Sequence, residues 1–207
     1  VRRFLLVDGR QQVLVRNHYS LRSAGTEGKT VKDARLGYIG KARARKEEVK
    51  KVIQTAKTIG LFETYKMVMN KLDAPSALGY SCAGEIIAVA DDVKDFKIGD
   101  KVACGGSGAV HAEVVAISVN LCVKLNDNAD LKSACFTTVG AIAMQGIRQA
   151  DLRLAENCVV IGLGLIGQIT VSLLKASGVN VIAIDIDPNQ VAKAKMMGAD
   201  LALSRND

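Results

Sequence analysis

The sequence predicts an α/β protein in two parts, a β-rich domain followed by the opening half of an alternating strand and helix fold. Three observations lead there. Short runs rich in Val, Ile and Ala, divided by glycine turns, occupy residues 84–118. The apolar period changes to helical at Leu131. From Cys158 an apolar strand enters a glycine turn and a helix-compatible run, and a second strand then ends on Asp185.

The composition narrows the class. Of 207 residues, 49% are hydrophobic, 24% are charged and two are prolines, which excludes disorder and fibrous repeats and describes a soluble globular protein. At this size folding removes about 70% of the extended chain's surface, so a core needs no disulfide or metal. The five cysteines (Cys82, Cys104, Cys122, Cys135, Cys158) are odd in number and form no CxxC pair. That points away from a disulfide framework or zinc cage and toward a reducing, cytoplasmic setting. The longest uncharged stretch, Asn157 to Leu174, is interrupted by three glycines, Asn157, Gln168, Thr170 and Ser172, so no membrane span is expected. No signal peptide is recognisable, and the opening Val-Arg-Arg without an initiator Met leads us to expect an incomplete N-terminus.

Taken in order, Phe4 to Leu6 and Val13 to Val15, parted by Asp8-Gly9, read as strands, and the strand pattern runs to about residue 27. Residues 28–77 form a helical insert. Val49, Val52, Ile53 and Ala56 make one apolar stripe, and after a break at Gly60, Leu61, Tyr65, Val68, Met69 and Leu72 make another. The insert holds 12 Lys/Arg against 5 Asp/Glu, while the rest of the chain holds 16 of each, so it carries the whole excess of +7. Lys46, Lys50 and Lys57 line the face opposite the first stripe, either as a solvated face or as an attraction for an anionic ligand or acidic partner. Nucleic acid ranks last as a partner, because aromatic interleaving and nucleic-acid motifs are absent. Strands resume over Gly84 to Ala90, Lys101 to Cys104 and Ala112 to Ser118, divided by Gly99-Asp100 and the Gly105 to Gly108 loop. Helical spacing through Leu131, Ala134, Val139, Ala143 and Ile147 puts the boundary near residue 125, giving domains 1–125 and 126–207.

The glycine turn carries the most specific chemistry. Gly162-Leu163-Gly164-Leu165-Ile166-Gly167 lies between the strand at Cys158 to Ile161 and the helical run Gln168 to Ala176, and Asp185 follows the last glycine by 18 residues. This is the full arrangement of a Rossmann dinucleotide site. Gly162 permits the tight turn, Gly164 lets backbone approach the pyrophosphate, and Gly167 lets helix and strand pack closely. The N–H groups of Leu165 and Ile166, at the positive end of the helix, suit the phosphates. Asp185 is placed to accept hydrogen bonds from the ribose hydroxyls and to repel a 2′-phosphate, so NAD(H) is expected over NADP(H). Asp187, just before Pro188, reads instead as a helix start.

With these motifs in this order, the chain resembles the medium-chain dehydrogenase/reductase superfamily, which includes the alcohol dehydrogenases. The resemblance is carried by Val13-Leu14-Val15-Arg16, Gly25-Thr26-Glu27, Leu78 to Glu85, Val93 to Val102 and Val159 to Gly167. Ser20 to Glu27, the basic insert and Val139 to Arg148 are similar to the alcohol dehydrogenase-like half of bacterial bi-domain oxidoreductases. The resemblance implies a GroES-like β-rich domain (residues 1–125, with the insert at 28–77) joined to a partial Rossmann domain (126–207). It also implies an NAD(H)-dependent hydride transfer to or from an alcohol or carbonyl, extending to a sugar or sugar nucleotide, with anionic sugars suiting the basic insert. In zinc-dependent members three ligands hold the catalytic metal; here Ala24, Tyr80 and Thr138 stand at those places, and the four cysteines of the structural zinc lobe are missing. No metal is therefore expected, since none of these side chains offers a thiolate or imidazole; a displaced site would have to draw on Cys82, Cys104 or His111.

Without zinc another group must handle the developing alkoxide. Tyr80, at a former ligand position, could donate a proton or hydrogen bond, and Thr26 matches the relay hydroxyl of zinc-dependent relatives. His18, within a strand, reads as structural, and His111 lies in a glycine-flanked loop. Three Rossmann strands are fewer than six, so we expect the nicotinamide side of the site, and activity, to require chain beyond Asp207. The complete protein is expected to form homo-oligomers. A different reading of the same residues is a non-catalytic NAD-binding sensor or scaffold module.

Overall fold

The computed structural model describes residues 11–34, 52, 54–58, 60–73 and 77–204. The expected strand at Phe4 to Leu6, and Lys46, Val49, Lys50 and Ile53 of the insert, lie outside the described residues. The chain divides into two compact units, one of Val1–Leu21 with Tyr80–Asp207 and one of Arg22–Gly79.

In the first unit a five-stranded antiparallel sheet has the order β4-β1-β2-β3-β5, with β1 Gln12–Ser20, β2 Ser81–Val89, β3 Lys101–Gly105, β4 Val114–Ser118 and β5 Cys122–Lys124. The strands expected at residues 13–15, 84–90, 101–104 and 112–118 are present, and β5 is one the sequence pattern did not mark. Their inward residues, Val13, Val15, Cys82, Ile86, Val102, Cys104, Val115 and Ile117, alternate with outward ones and form one core with Ala109, as a half-buried pleated face requires. Ser20, Cys82, Cys104 and Cys122 stand opposite one another across β1, β2, β3 and β5, and the sulfurs of Cys104 and Cys122 are 3.8 Å apart. The Gly99-Asp100 turn is locked by Asp100, which is buried, accepts from the Lys97 N–H at 3.0 Å and pairs with Lys124 at 2.8 Å.

Two helices lead out of this sheet, α3 Leu131–Ala134 and α4 Thr137–Ala150. Asp130 caps α3, accepting from the Lys132 and Ser133 N–H groups at 3.1 Å each, which satisfies donors the helix leaves orphaned. Leu21 just after β1, Ala83 of β2, and Cys135 and Val139 from this helical region form a second apolar cluster, with Tyr80 and Ile169 packed against it. A three-stranded parallel sheet follows, in the order β6-β7-β8, formed by β6 Asn157–Ile161, β7 Asn180–Asp185 and β8 Leu201–Ser204. Its crossovers are α5 Leu165–Ala176 and α6 Pro188–Met196. Leu163, Val171, Leu174, Val181, Ala183 and Ala194 fill the space between helices and sheet.

The second unit contains α1 Ala24–Ala34 and α2 Leu61–Asp73. Gly60, with φ at +90°, makes the break before α2 that the spacing predicts. The strand pattern expected up to residue 27 is corrected here, because helix begins at Ala24. Glu27 is the reason: its carboxylate accepts from the Ser23 N–H at 3.0 Å while its own N–H donates to Ser23 O at 3.0 Å. That reciprocal pair starts a helix where alternation alone suggests a strand. Among the described residues no helix is long and apolar enough to cross a membrane.

Candidate functional site

The glycine turn sits between β6 and α5, at the C-terminal ends of parallel strands. Gly162 adopts φ +89°, a conformation side chains other than glycine resist, and its N–H donates to Ile184 O at 2.9 Å, fixing the turn to β7. Gly167 is a matter of space: a Cβ there would lie 2.0 Å from Gly162 O. Gly164 has nothing among the described residues within 4 Å of a Cβ position, which leaves open the side by which backbone could approach a pyrophosphate. The first amide bonded back within α5 is that of Gln168, to Gly164 O at 2.9 Å. The N–H groups of Leu165, Ile166 and Gly167 thus precede the helical ladder and carry its positive end.

Asp185 ends β7 beside this turn. Its Oδ2 accepts from the Leu163 N–H at 2.5 Å and its Oδ1 from the Asp187 N–H at 2.8 Å. The N–H of Asp187, and then that of Leu163, hold its carboxyl below the ordinary carboxylate range, so it is ionised at neutral pH and each oxygen keeps a lone pair for a further donor. Asp187 does what a helix start requires: its Oδ1 accepts from the Asn189 N–H at 2.9 Å, with Pro188 at the first helical position. The residues chosen from the sequence, Gly162, Gly164, Leu165, Ile166, Gly167 and Asp185, are therefore gathered at one place. Two others that composition and spacing do not single out belong there too. Leu163 is fully buried, and Gln168 donates from Nε2 to Leu163 O at 3.0 Å and to Gln190 O at 2.9 Å. The only sequence signal for either was membership of the motif or of the helix after it.

The suggested catalytic residues are placed as follows. Tyr80 immediately precedes β2, is partly buried, and lies against Leu21, Ala83, Cys135 and Val139. Thr26 belongs to the helical unit, exposed in the first turn of α1, with its N–H 3.5 Å from Ser23 Oγ. Thr138 donates to Cys104 O at 3.3 Å and faces Gly105 closely. His18 is exposed on β1. His111 is fixed at the sheet's end: Asn17 donates to the carbonyls on either side of it, Val110 O at 3.2 Å and Ala112 O at 2.7 Å, and its Nδ1 is 2.8 Å from Ser20 Oγ.

A catalytic zinc does not fit these residues. Ala24 brings no lone pair, and the hydroxyls of Tyr80 and Thr138 are poor substitutes for imidazole and thiolate. Among the described residues no group of three His, Cys, Asp or Glu side chains is placed to hold a metal ion. A dinucleotide does fit, in an open approach at Gly164, amides at the start of α5 and an ionised carboxylate beside them.

Residues 49–160 match the model of the alcohol dehydrogenase GroES-like domain. D-guloside 3-dehydrogenase of Escherichia coli (strain K12) is 35% identical over 131 residues, covering 61% of this chain and 37% of that protein. (R,R)-butanediol dehydrogenase of Bacillus subtilis is 25% identical over 151 residues, covering 61% of this chain and 44% of that one. Among solved structures, galactitol-1-phosphate dehydrogenase from Escherichia coli aligns with a TM-score of 0.68 at 19% identity, over 93% of this chain and 54% of its own. The quinone oxidoreductase from Coxiella burnetii aligns with a TM-score of 0.65 at 23% identity, over 93% and 53%. At such identities the likeness is one of fold, a GroES-like β domain followed by a partial Rossmann region, as expected. The chain spans 37% and 44% of the length of the two relatives and about half that of the two structures.

Proposed function

The chain belongs to the alcohol dehydrogenase GroES-like domain family, and we propose from this that it is part of an NAD(H)-dependent oxidoreductase acting on an alcohol or carbonyl without a catalytic zinc. The observation that carries the reading is the Asp185 carboxylate, set 2.5 Å from the Leu163 N–H of the glycine turn. When bound, the nicotinamide supplies or accepts the hydride. Gly162, Gly164 and Gly167 shape the turn, the amides of Leu165 and Ile166 hold the pyrophosphate, and Asp185 accepts from the ribose hydroxyls. The same carboxylate disfavours the 2′-phosphate of NADP(H). Tyr80 is the residue we assign to the proton, its phenol donating to an alkoxide as charge develops, with Thr26 as a relay hydroxyl.

The substrate we infer is polyhydroxylated. Relatives are named D-guloside 3-dehydrogenase, sorbitol dehydrogenase and L-idonate 5-dehydrogenase, and the excess of Lys and Arg in residues 28–77 suits a sugar that carries a negative charge. The complete protein is proposed to work in the cytoplasm as a homo-oligomer, and its five free thiols accord with a reducing compartment.

The test is a fluorescence titration of the full protein chain with NADH and NADPH, followed by NADH oxidation against a panel of sugars, aldehydes and ketones. Saturable NADH binding that Asp185→Ala abolishes, and turnover that Tyr80→Phe lowers in kcat without altering NADH affinity, are the expected results. A folded protein that binds neither dinucleotide sinks the proposal. NADH binding without turnover of any carbonyl would identify a sensor or scaffold module instead.

A further inference from the structure

The glycine turn, Asp185 and the first turn of α6 are joined in a closed ring of hydrogen bonds, and one side chain closes it. The Leu163 N–H donates to Asp185 Oδ2 at 2.5 Å, and Asp185 Oδ1 accepts from the Asp187 N–H at 2.8 Å. Asp187 O accepts from the Gln190 N–H at 3.0 Å. Gln190 O and Leu163 O then both accept from Gln168 Nε2, at 2.9 and 3.0 Å. Two carbonyl acceptors facing one atom require the amide nitrogen there, since only it carries two hydrogens.

The position is a costly one for an amide. Gln168 is 8% exposed, and its Oε1 is buried without a hydrogen-bond partner among the described residues. An unpartnered buried acceptor is destabilising, and the two donations from Nε2 to Leu163 O and Gln190 O are what offset it. What the amide contributes is the pair of donations. Through them the Leu163 peptide is gripped on both sides, its N–H by Asp185 and its C=O by Gln168, while its side chain is fully buried.

We propose that Gln168 is a positioning residue for the dinucleotide, setting the glycine turn against Asp185 and so setting the preference for a ribose 2′-hydroxyl over a 2′-phosphate. This rests on the reading of residues 162–185 as an NAD(H) site. Without the two donations the Leu163 peptide is held on one side only, and the carboxylate loses the fixed partner that orients it. Bonds to the ribose weaken, and repulsion of a 2′-phosphate weakens with them.

The experiment is titration of the full protein chain and its Q168M variant with NADH and with NADPH, alongside thermal melts. Methionine keeps the length and apolar stem but donates nothing. NADH affinity is expected to fall about tenfold, the worth of one hydrogen bond, and NADPH affinity by much less, so that the NADH:NADPH ratio falls about tenfold. A purely structural role would lower the melting temperature and scale both affinities alike; an unchanged ratio overturns the proposal. Amide hydrogen exchange of the wild-type chain gives an arm that needs no variant to fold. The Leu163 and Asp187 amides are expected to exchange slowly and together, and exchange of either at the rate of an open loop overturns the ring. Wild-type protein that binds neither dinucleotide refutes the underlying NAD(H) reading and the proposal with it. NADH binding by the wild type, with the ratio retained in Q168M, refutes the role of Gln168 alone.

Discussion

Gly164 and Gly167 stand three residues apart in one motif, yet alanine is expected to damage the protein at each for opposite reasons. At Gly167 a Cβ would lie 2.0 Å from Gly162 O, about 1.4 Å short of ordinary van der Waals contact. Backbone of α5 must move away from backbone of the turn, and neither is a flexible tip. Overpacking of this kind costs about 1–3 kcal/mol, which for a chain of this size is a fall in Tm of about 2–12 °C. At Gly164 the same methyl meets nothing among the described residues within 4 Å, and φ is −68°, a value alanine adopts freely. Folding is expected to be unharmed or improved by about 0.4–1 kcal/mol, because the unfolded chain loses freedom. The methyl instead occupies the approach proposed for a pyrophosphate, and NADH affinity is expected to drop roughly tenfold or more. Thermal melts and NADH titration of the two variants separate the effects. If Gly164→Ala lowers Tm as much as Gly167→Ala and leaves NADH affinity intact, the two glycines do not divide the labour in this way.

Three further outcomes are expected. Asp185, held below the ordinary carboxylate range by the N–H groups of Asp187 and Leu163, contributes stability that is fully present above its unfolded pKa of about 3.9 and is lost as pH falls through its folded value. Asp185→Asn should therefore melt lower than wild type at pH 7 and converge with it as the solution is acidified, which melts across pH will show; a constant difference would contradict the assignment. Asp187→Ala removes the cap of α6 and should cost about 1 kcal/mol while leaving the NADH dissociation constant unchanged, the reverse of Asp185→Ala in a binding titration. Asp100→Ala strips the Lys97 N–H and Lys124 of their buried partner; a loss of about 1–3 kcal/mol is expected, read as a lower urea midpoint with an unchanged slope.

Local signals made the dinucleotide half legible in the sequence. The strand, glycine turn, helix and acid lie within 30 residues, and each rests on a rule of backbone geometry: positive φ at Gly162, close approach at Gly167, an acid at the strand end. The strands at residues 13–15, 84–90, 101–104 and 112–118 were equally readable from Val and Ile runs, whereas the three residues of β5 are too few to show a period. Their order, β4-β1-β2-β3-β5, was not, because antiparallel partners such as Ser20 and Cys82 are brought together by chain closure over long separations. The start of α1 was misread because Ser23 and Glu27 act through a side chain to backbone bond, which hydropathy periodicity does not register. The surroundings of Tyr80 are tertiary as well: Leu21, Cys135 and Val139 come from three places in the chain. Gln168 escaped for a related reason. A polar residue early in a helix is unremarkable until both of its acceptors, one of them 22 residues away, are seen beside it.

The row of cysteines across β2, β3 and β5 gives the protein an internal clock. Cys82 and Cys104 are sealed within the sheet, whereas Cys122 is partly exposed. Hydrogen bonding to Cys122 and to Cys82, together with burial, pushes the Cys104 thiol up, leaving it almost no thiolate with which to react. An alkylating reagent therefore reaches Cys122 first and Cys104 only when β3 and β5 part. The delay between the two adducts, followed by mass spectrometry, times the opening of that edge of the sheet in a protein given neither cofactor nor substrate.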